Sequence, residues 1–326
     1  MARHIIPEIT ERAAPRQERI SVPARPVALS LVLSLRPSQW TKNLIVFAAL
    51  MFGQRLGDAR SVAYALGAFV LFCALSGVVY LLNDVADRKR DRNHPIKQHR
   101  PIASGELPVP VALMAAAVLG TAALAAAFWL RPAFGAIGMV YVALLALYSG
   151  PLKHVVIIDV LTIAMGFVLR AAAGAVVIDV PISHWLLFLT ILLALFLALS
   201  KRRHELVLLA DGATNHRRIL EEYTPYLLDQ MIAVVTASTL VGYSIYTVSP
   251  ETVEKFQTHM LGLTLPFPLY GIFRYLYLVH QKAGGGSPSE MLLNDRPLLI
   301  CVALWAAAAG FIIYGPGLGF LERLIS

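Results

Sequence analysis

Apolar runs close to the length of a membrane crossing recur nine times in this 326-residue chain, and that recurrence limits the fold more than any other feature. An α-helix needs about 20 apolar residues to cross a hydrocarbon core of ~30 Å. In that solvent each backbone N–H and C=O has to be satisfied within its own segment, which selects helices as the spanning elements. The spacing predicts helices near 43–57, 62–85, 108–129, 133–150, 155–178, 183–203, 224–248, 256–280 and 297–321. The first is short and is expected to tilt or to extend upstream. The expected fold is all-α: a polytopic membrane helical bundle of about nine transmembrane helices.

Composition excludes a soluble two-domain enzyme. Hydrophobic residues make up 57% and charged residues only 15%, where soluble domains carry about a quarter charged residues. Residues 1–28 are polar, with Arg3, Arg12, Arg16, Arg19 and Arg25 and several prolines but no apolar signal core. They read as a flexible cytoplasmic tail, and residues 29–326 as a single transmembrane domain. The tail leads into Leu35–Asn43, where Trp40 and Lys42 read as interfacial anchors. Lys42 serves equally well as a phosphate contact at the edge of the bundle.

The charges orient the bundle. With the N-terminus in the cytoplasm, only Arg55, Arg60, Arg131, Lys255 and Arg323 fall outside, and Arg170 and Arg274 fall within spans. All other Lys and Arg residues lie on the inner side, which also puts the C-terminus outside. The net charge of +8 is thus a property of cytoplasmic loops and phosphate sites, with no nucleic acid implied. Cys73 and Cys301 sit in apolar runs and read as small buried residues, without disulfide or metal.

The polar residues concentrate on that inner side, above all in 83–101 at the end of the second span. Asn83, Asp84, Asp87 and Asp91 are spaced to share one helical stripe at the membrane surface. A row of oxygen ligands suits Mg²⁺, which takes a few carboxylates together with substrate phosphates and water. Lys97 and Arg100 follow, suited to those phosphates. A plain solvated, positive-inside loop accounts for Arg88, Lys89 and Arg90, but it explains poorly why three acids and an Asn are aligned. His94 and His99 read as loop residues.

Other candidates lie on the same side. Tyr148–His154 is a short turn in which Lys153 is either an interfacial residue or a phosphate contact. Arg170, inside the fifth span among small residues, is expected to face a polar cavity and an anionic partner. Asp159 stays open between metal ligand and ion-pair partner. Lys201-Arg202-Arg203-His204-Glu205 ends the sixth span, and Arg274, Tyr275, Asp295 and Arg296 are minor candidates. The stretch Gly284–Pro288 reads as a flexible turn without the residues of a nucleotide-binding loop. No Ser/His/Asp triad, Cys-x-x-Cys pair or His-x-x-x-His pattern is present.

Asn83-Asp84-x-x-Asp87-x-x-x-Asp91 within nine spans resembles the first Asp-rich motif of the UbiA superfamily of intramembrane transferases. Most of those enzymes move a prenyl group from a prenyl diphosphate to an aromatic acceptor, and they carry a second Asp-rich motif after the sixth span. Here that place is basic, Lys201–Arg203. In this respect the chain is similar to the decaprenyl-phosphate phosphoribosyltransferase branch. The matching landmarks are Arg36-Pro37-x-Gln39-Trp40-x-Lys42-Asn43, Tyr80-Leu81 before the Asp-rich motif, and His94-Pro95-x-Lys97-x-x-Arg100-Pro101 after it. Further matches are Leu152-Lys153-His154, Leu169-Arg170-Ala171, Lys201-Arg202-x-x-Glu205-Leu206 and Asp295-Arg296.

The resemblance implies transfer of 5-phosphoribosyl from 5-phosphoribosyl diphosphate (PRPP) to a polyprenyl (decaprenyl) phosphate. The setting is the cytoplasmic face of a bacterial inner membrane, with Mg²⁺, release of diphosphate and supply of a lipid-linked arabinose donor. It implies metal ligation by Asn83 and Asp87, with Asp84 and Asp91 as further metal, water or orienting ligands. Tyr80, Lys42, Lys97, Arg100, Lys153 and Arg170 would contact phosphates, and Lys201 and Arg202 would complete a basic wall. A lateral groove would hold the lipid tail. Aromatic prenyl transfer is the alternative enzyme and a lipid-phosphate carrier or flippase the non-enzymatic one, though a carrier has no need of the acids. Chain length of the lipid, downstream pathway and a homo-oligomeric state are left open.

Overall fold

The computed structural model describes residues 25–93, 97–210, 222–282 and 288–315. The calls made above for residues 1–24, His94, the turn at 284–287, Arg217, Arg218 and the C-terminal end lie outside those residues.

Among the described residues the elements are helices and turns, with no strand. In chain order they are α1 (Val27–Ser34), a 3-10 helix (Pro37–Phe47), α2 (Ala48–Phe52), α3 (Ala59–Ala86) and α4 (Arg88–Arg92). A short 3-10 helix (Lys97–His99), α5 (Pro101–Ser104), α6 (Val109–Leu130), α7 (Pro132–Ser149) and a 3-10 turn (Leu152–His154) follow. Then come α8 (Ile158–Val177), α9 (His184–Ala210), α10 (Pro225–Val248), α11 (Pro250–Phe256) and a 3-10 helix (Met260–Thr264). The last are α12 (Pro266–Gln281), α13 (Pro288–Asn294) and α14 (Arg296–Tyr314). Local chemistry sets several starts. Asp58, Thr224 and Asp295 cap α3, α10 and α14 by accepting from the backbone N–H groups of Arg60, Leu227 and Leu298. Pro132 and Pro225 occupy first turns, where a missing N–H costs little.

Seven helices, α3, α6–α10 and α14, are long and apolar enough to cross a membrane. Their outward faces are apolar, with Trp129 88% and Phe311 65% exposed, as a lipid solvent allows. The two other expected spans are interrupted, each for a local reason. In the first, expected at 43–57, Arg36 takes a left-handed conformation (φ 54°) and Pro37 starts eleven residues of 3-10 helix. In the eighth, expected at 256–280, Gln257 is left-handed (φ 53°) and Pro266 and Pro268 restrict the chain.

The 3-10 helix 37–47 is held against α8 by a close backbone approach. A Cβ on Gly174 would sit 2.1 Å from the carbonyl oxygen of Val46, so no larger residue fits there. The main core forms around Phe72, Phe134 and Tyr141, from α3, α7 and their neighbours. A second forms around Phe196, Leu228 and Tyr275, from α9, α10 and α12. Between them lies a cavity of about 1680 Å³.

Candidate active site

The C-terminal ends of α3, α7, α9 and α12 meet the N-terminal ends of α8, α10 and α14 at one end of the bundle. Ion pairs tie them together: Lys153–Asp87 (3.2 Å), Arg202–Asp159 (2.7 Å), Arg203–Asp229 (2.5 Å) and Arg274–Asp295 (2.8 Å). The cavity reaches this end of the bundle, where Arg202 of these pairs lines it. Its wall there carries Arg36, Lys42, Tyr80, Asn83, Arg100, Arg170 and Lys201. Further along it becomes apolar, past Leu193, Phe196 and Ile272 to Trp185, Tyr246 and Trp305.

The acids behave differently from an uninterrupted ligand stripe. α3 ends at Ala86, and Asp87 is the hinge residue between it and α4. Asp84 and Asp91 still share a side, and both are buried against Arg100, which donates to Asp84 Oδ1 (3.1 Å) and Asp91 Oδ2 (2.6 Å). Asp84 Oδ1 also accepts from Arg36 (2.5 Å). Asp87 turns instead to Lys153, whose ammonium bridges both its oxygens (3.2 and 3.5 Å). None of the three acids is on the cavity wall; Asn83 and Tyr80 are. Asp84 and Asp91 therefore fix two arginines at the cavity rim. Arg36, absent from the candidates drawn from the sequence, is one of them. Its guanidinium also lies 4.7 Å from the Tyr80 ring centroid. Arg36 stood among the landmarks of the resemblance without a role in the site: a residue before proline is biased toward extended backbone, and Arg36 reaches this position through its left-handed turn.

Of the cations proposed from sequence, Lys42, Arg100, Arg170, Lys201 and Arg202 reach the cavity, whereas Lys97 and Lys153 do not. Arg170 is 5% exposed, and among the described residues the anionic partner expected for it is absent. It donates to Asn43 Oδ1 (2.7 Å), Gly166 O (2.9 Å) and Tyr141 OH (2.5 Å), all neutral groups. Asn43 is in turn oriented by Cys73 Sγ and Ser76 Oγ, to which its amide donates (both 3.3 Å). Lys42, in the interrupted first segment, has no carboxylate within ion-pair distance among the described residues. Burial, then the charges of Arg170 and Arg36, push its ammonium down to about 8. The carboxylate of Glu290, on the same wall, opposes that shift without cancelling it, and a cluster in which cations outnumber acids suits an anion.

Arg202 differs. It lines the cavity but is 2% exposed, and its guanidinium is consumed by Asp159 (2.7 Å), Glu205 (2.5 Å) and Tyr148 OH (2.9 Å). Asp159 is fully buried and also accepts from Tyr223 OH (3.0 Å). Tyr223 OH accepts from the Ile157 amide (2.7 Å), and burial pushes its phenol up to about 12. Asp159 is thus an ion-pair partner, not a metal ligand in this arrangement. Arg202 locks the end of α9 to the start of α8, and Lys201 keeps its place on the wall.

No group of three or more His, Cys, Asp or Glu among the described residues is arranged to hold a metal alone. The residues do fit the looser habit of Mg²⁺, one or two protein oxygens plus phosphate and water oxygens. Asn83 is on the wall, and Asp87, one turn on, retains lone pairs beyond those Lys153 uses.

The sequence profile of the UbiA prenyltransferase family matches residues 43–294. The chain belongs to the UbiA family. A relative from Mycolicibacterium smegmatis, named decaprenyl-phosphate phosphoribosyltransferase, is 33% identical over 96% of this chain and 99% of its own length. One of the same name from Mycobacterium tuberculosis is 31% identical over 90% of this chain and 97% of its own. Among solved structures, a UbiA homolog from Archaeoglobus fulgidus bound to GPP and Mg²⁺ superposes with a TM-score of 0.67 at 19% identity, covering 87% of this chain and 99% of that one. The expected all-α bundle is this UbiA fold. With seven helices able to span, the chain is a multi-pass membrane transferase of the UbiA family.

Proposed function

We propose that this UbiA-family protein transfers the 5-phosphoribosyl group of PRPP to a polyprenyl phosphate and releases diphosphate. The observation that carries the reading is the cluster of cations Arg36, Lys42, Arg100, Arg170 and Lys201, more numerous than the acids on the same wall, at the mouth of a long apolar cavity. Such a cavity suits two substrates, a multiply phosphorylated sugar and a phosphate on a long hydrocarbon. The relatives named decaprenyl-phosphate phosphoribosyltransferase support the same pairing.

In the reaction the bond between ribosyl C1 and the diphosphate oxygen breaks, and that electron pair leaves with the diphosphate. A bond forms between C1 and an oxygen of the lipid phosphate. The centre passes through an oxocarbenium-like state, so the main demand is on stabilising the departing negative charge. Lys42, Arg100 and Arg170 are placed to do that from the wall, and Arg36 to orient the site through Asp84 and Tyr80. The nucleophile is already anionic near neutral pH and needs no strong general base. Bound with the donor, Mg²⁺ would neutralise diphosphate charge, with Asn83 and Asp87 as the residues to hold it. Asp84 and Asp91 act through Arg100. Arg202 and Lys153 set positions, and Lys97, which is not on the wall, is given no direct contact. The polar end faces the cytoplasm of a bacterial inner membrane, as the excess of Lys and Arg there supports. The product would serve as precursor of a lipid-linked arabinose donor.

The test offers purified protein labelled PRPP with decaprenyl phosphate and Mg²⁺, and in parallel prenyl diphosphate with 4-hydroxybenzoate. A labelled, chloroform-soluble product and free diphosphate from the first pair alone are expected. Product from the second pair alone refutes the reading in favour of aromatic prenyl transfer, and no diphosphate from either refutes both enzymes.

A further inference from the structure

Among the described residues two carboxylates line the cavity, Glu251 and Glu290. Glu251, on α11, stands at the far end with Trp185 and Tyr246. Glu290, on α13, stands at the polar end, where the other charged groups of the wall are cations. Its neighbours Met291 and Leu292 pack into the second core, and α13 rests on the 3-10 helix 37–47, so a fixed element presents the acid to the mouth. The carboxylate is close enough for its charge to act on Lys42, yet it closes no hydrogen bond or ion pair with a described cation. The other acids at this end are off the wall and taken up: Asp84 and Asp91 by Arg100, Asp87 by Lys153, Asp159 and Glu205 by Arg202.

An acid in this place repels every phosphate that the surrounding cations attract. Ionised phosphates hold acceptors only, so neither the diphosphate nor the lipid phosphate compensates that repulsion with a hydrogen bond. The donors that PRPP brings to the mouth are the 2- and 3-hydroxyls of its ribose. They are neighbours on one face of the ring, and the two oxygens of a carboxylate can accept from both. Resting on the function proposed above, we propose that Glu290 is a specificity residue for the donor: its carboxylate accepts hydrogen bonds from the ribose 2- and 3-hydroxyls of PRPP while the cations around it hold the phosphates. A diphosphate without a diol, such as a prenyl diphosphate, meets the same repulsion and returns no hydrogen bond, which is how a repulsive element sharpens specificity.

The test is equilibrium binding, with Mg²⁺ and no lipid acceptor, of PRPP, inorganic diphosphate, ribose 5-phosphate and 2-deoxyribose 5-phosphate to wild type, Glu290→Gln and Glu251→Gln. Glu290 is exposed, and Gln keeps its shape, so the variant should melt with wild type. Glu290→Gln is expected to weaken PRPP roughly tenfold or more, the worth of hydrogen bonds to a charged acceptor. Diphosphate affinity should hold or rise as the repulsion goes. Wild type should prefer ribose 5-phosphate to its 2-deoxy form by roughly tenfold, and Glu290→Gln should lose that preference. Glu251→Gln, at the far end, should change none of the four affinities. Equal losses for PRPP and diphosphate with a raised Mg²⁺ requirement overturn the assignment in favour of a metal ligand. Unchanged PRPP affinity with an unchanged preference between the two pentose phosphates overturns it in favour of a plain counter-charge for Lys42. Wild-type protein that transfers nothing from PRPP and binds it no better than diphosphate refutes the donor reading and this assignment together. Transfer from PRPP with the preference unchanged in Glu290→Gln refutes this assignment alone.

Discussion

Replacing Arg202 by Met should damage stability before it damages substrate affinity. The guanidinium is 2% exposed and Asp159 fully buried, and the pair is closed at 2.7 Å with Glu205 and Tyr148 as further partners. Arg202→Met leaves the Asp159 charge buried, with Tyr223 OH as its one remaining side-chain donor among the described residues. Removing one member of a buried pair costs about 3–5 kcal/mol, most of it the uncompensated charge. At the per-residue unfolding entropy of folded proteins, that lowers the melting temperature of a chain this long by roughly 4–7 °C. The double variant Arg202→Met with Asp159→Leu removes both charges and should regain most of the loss, since apolar replacement of a buried pair is often near neutral. The assay is thermal unfolding in detergent of wild type, both single variants and the double, alongside KM for PRPP. If Arg202→Met melts within about 1 °C of wild type while PRPP affinity collapses, the guanidinium is a substrate ligand and the locking argument is wrong.

Three other outcomes are expected. PRPP affinity should fall as pH rises through about 8, because the lowered Lys42 ammonium is charged below that value and neutral above it. Lys42→Met should lose that pH dependence and bind PRPP at least tenfold more weakly at pH 7, both read from KM against pH. Asp87→Asn should cut turnover at least a hundredfold while remaining folded by circular dichroism, and EDTA should silence the wild type until Mg²⁺ is restored. Gly174→Ala should force the 3-10 helix 37–47 off α8, since the new methyl meets Val46 O at 2.1 Å. Overpacking of this kind costs about 1–3 kcal/mol, to be seen in melting temperature, with loss of activity through Asn43 and Arg170.

Sequence alone determined the helical class, the approximate limits of seven long helices and the end of the bundle at which the polar residues gather. These follow from one-dimensional facts. Apolar run length is matched to a bilayer, charge flanks are counted along the chain, and Arg170 within a span is conspicuous because intramembrane charge is costly. Only the tertiary structure decided who pairs with whom. Helical spacing aligned Asp84, Asp87 and Asp91, yet the break at Asp87 sends one acid to Lys153 and the other two to Arg100. Lys201 and Arg202 are neighbours in sequence, yet one lines the cavity in a loose pair with Glu205 at 3.8 Å and the other is locked by Asp159, 43 residues away. Arg36 enters the site through a backbone conformation that proline at the next position disfavours. Pairing of buried charges depends on distances across helices, and no periodicity within a single helix encodes those distances.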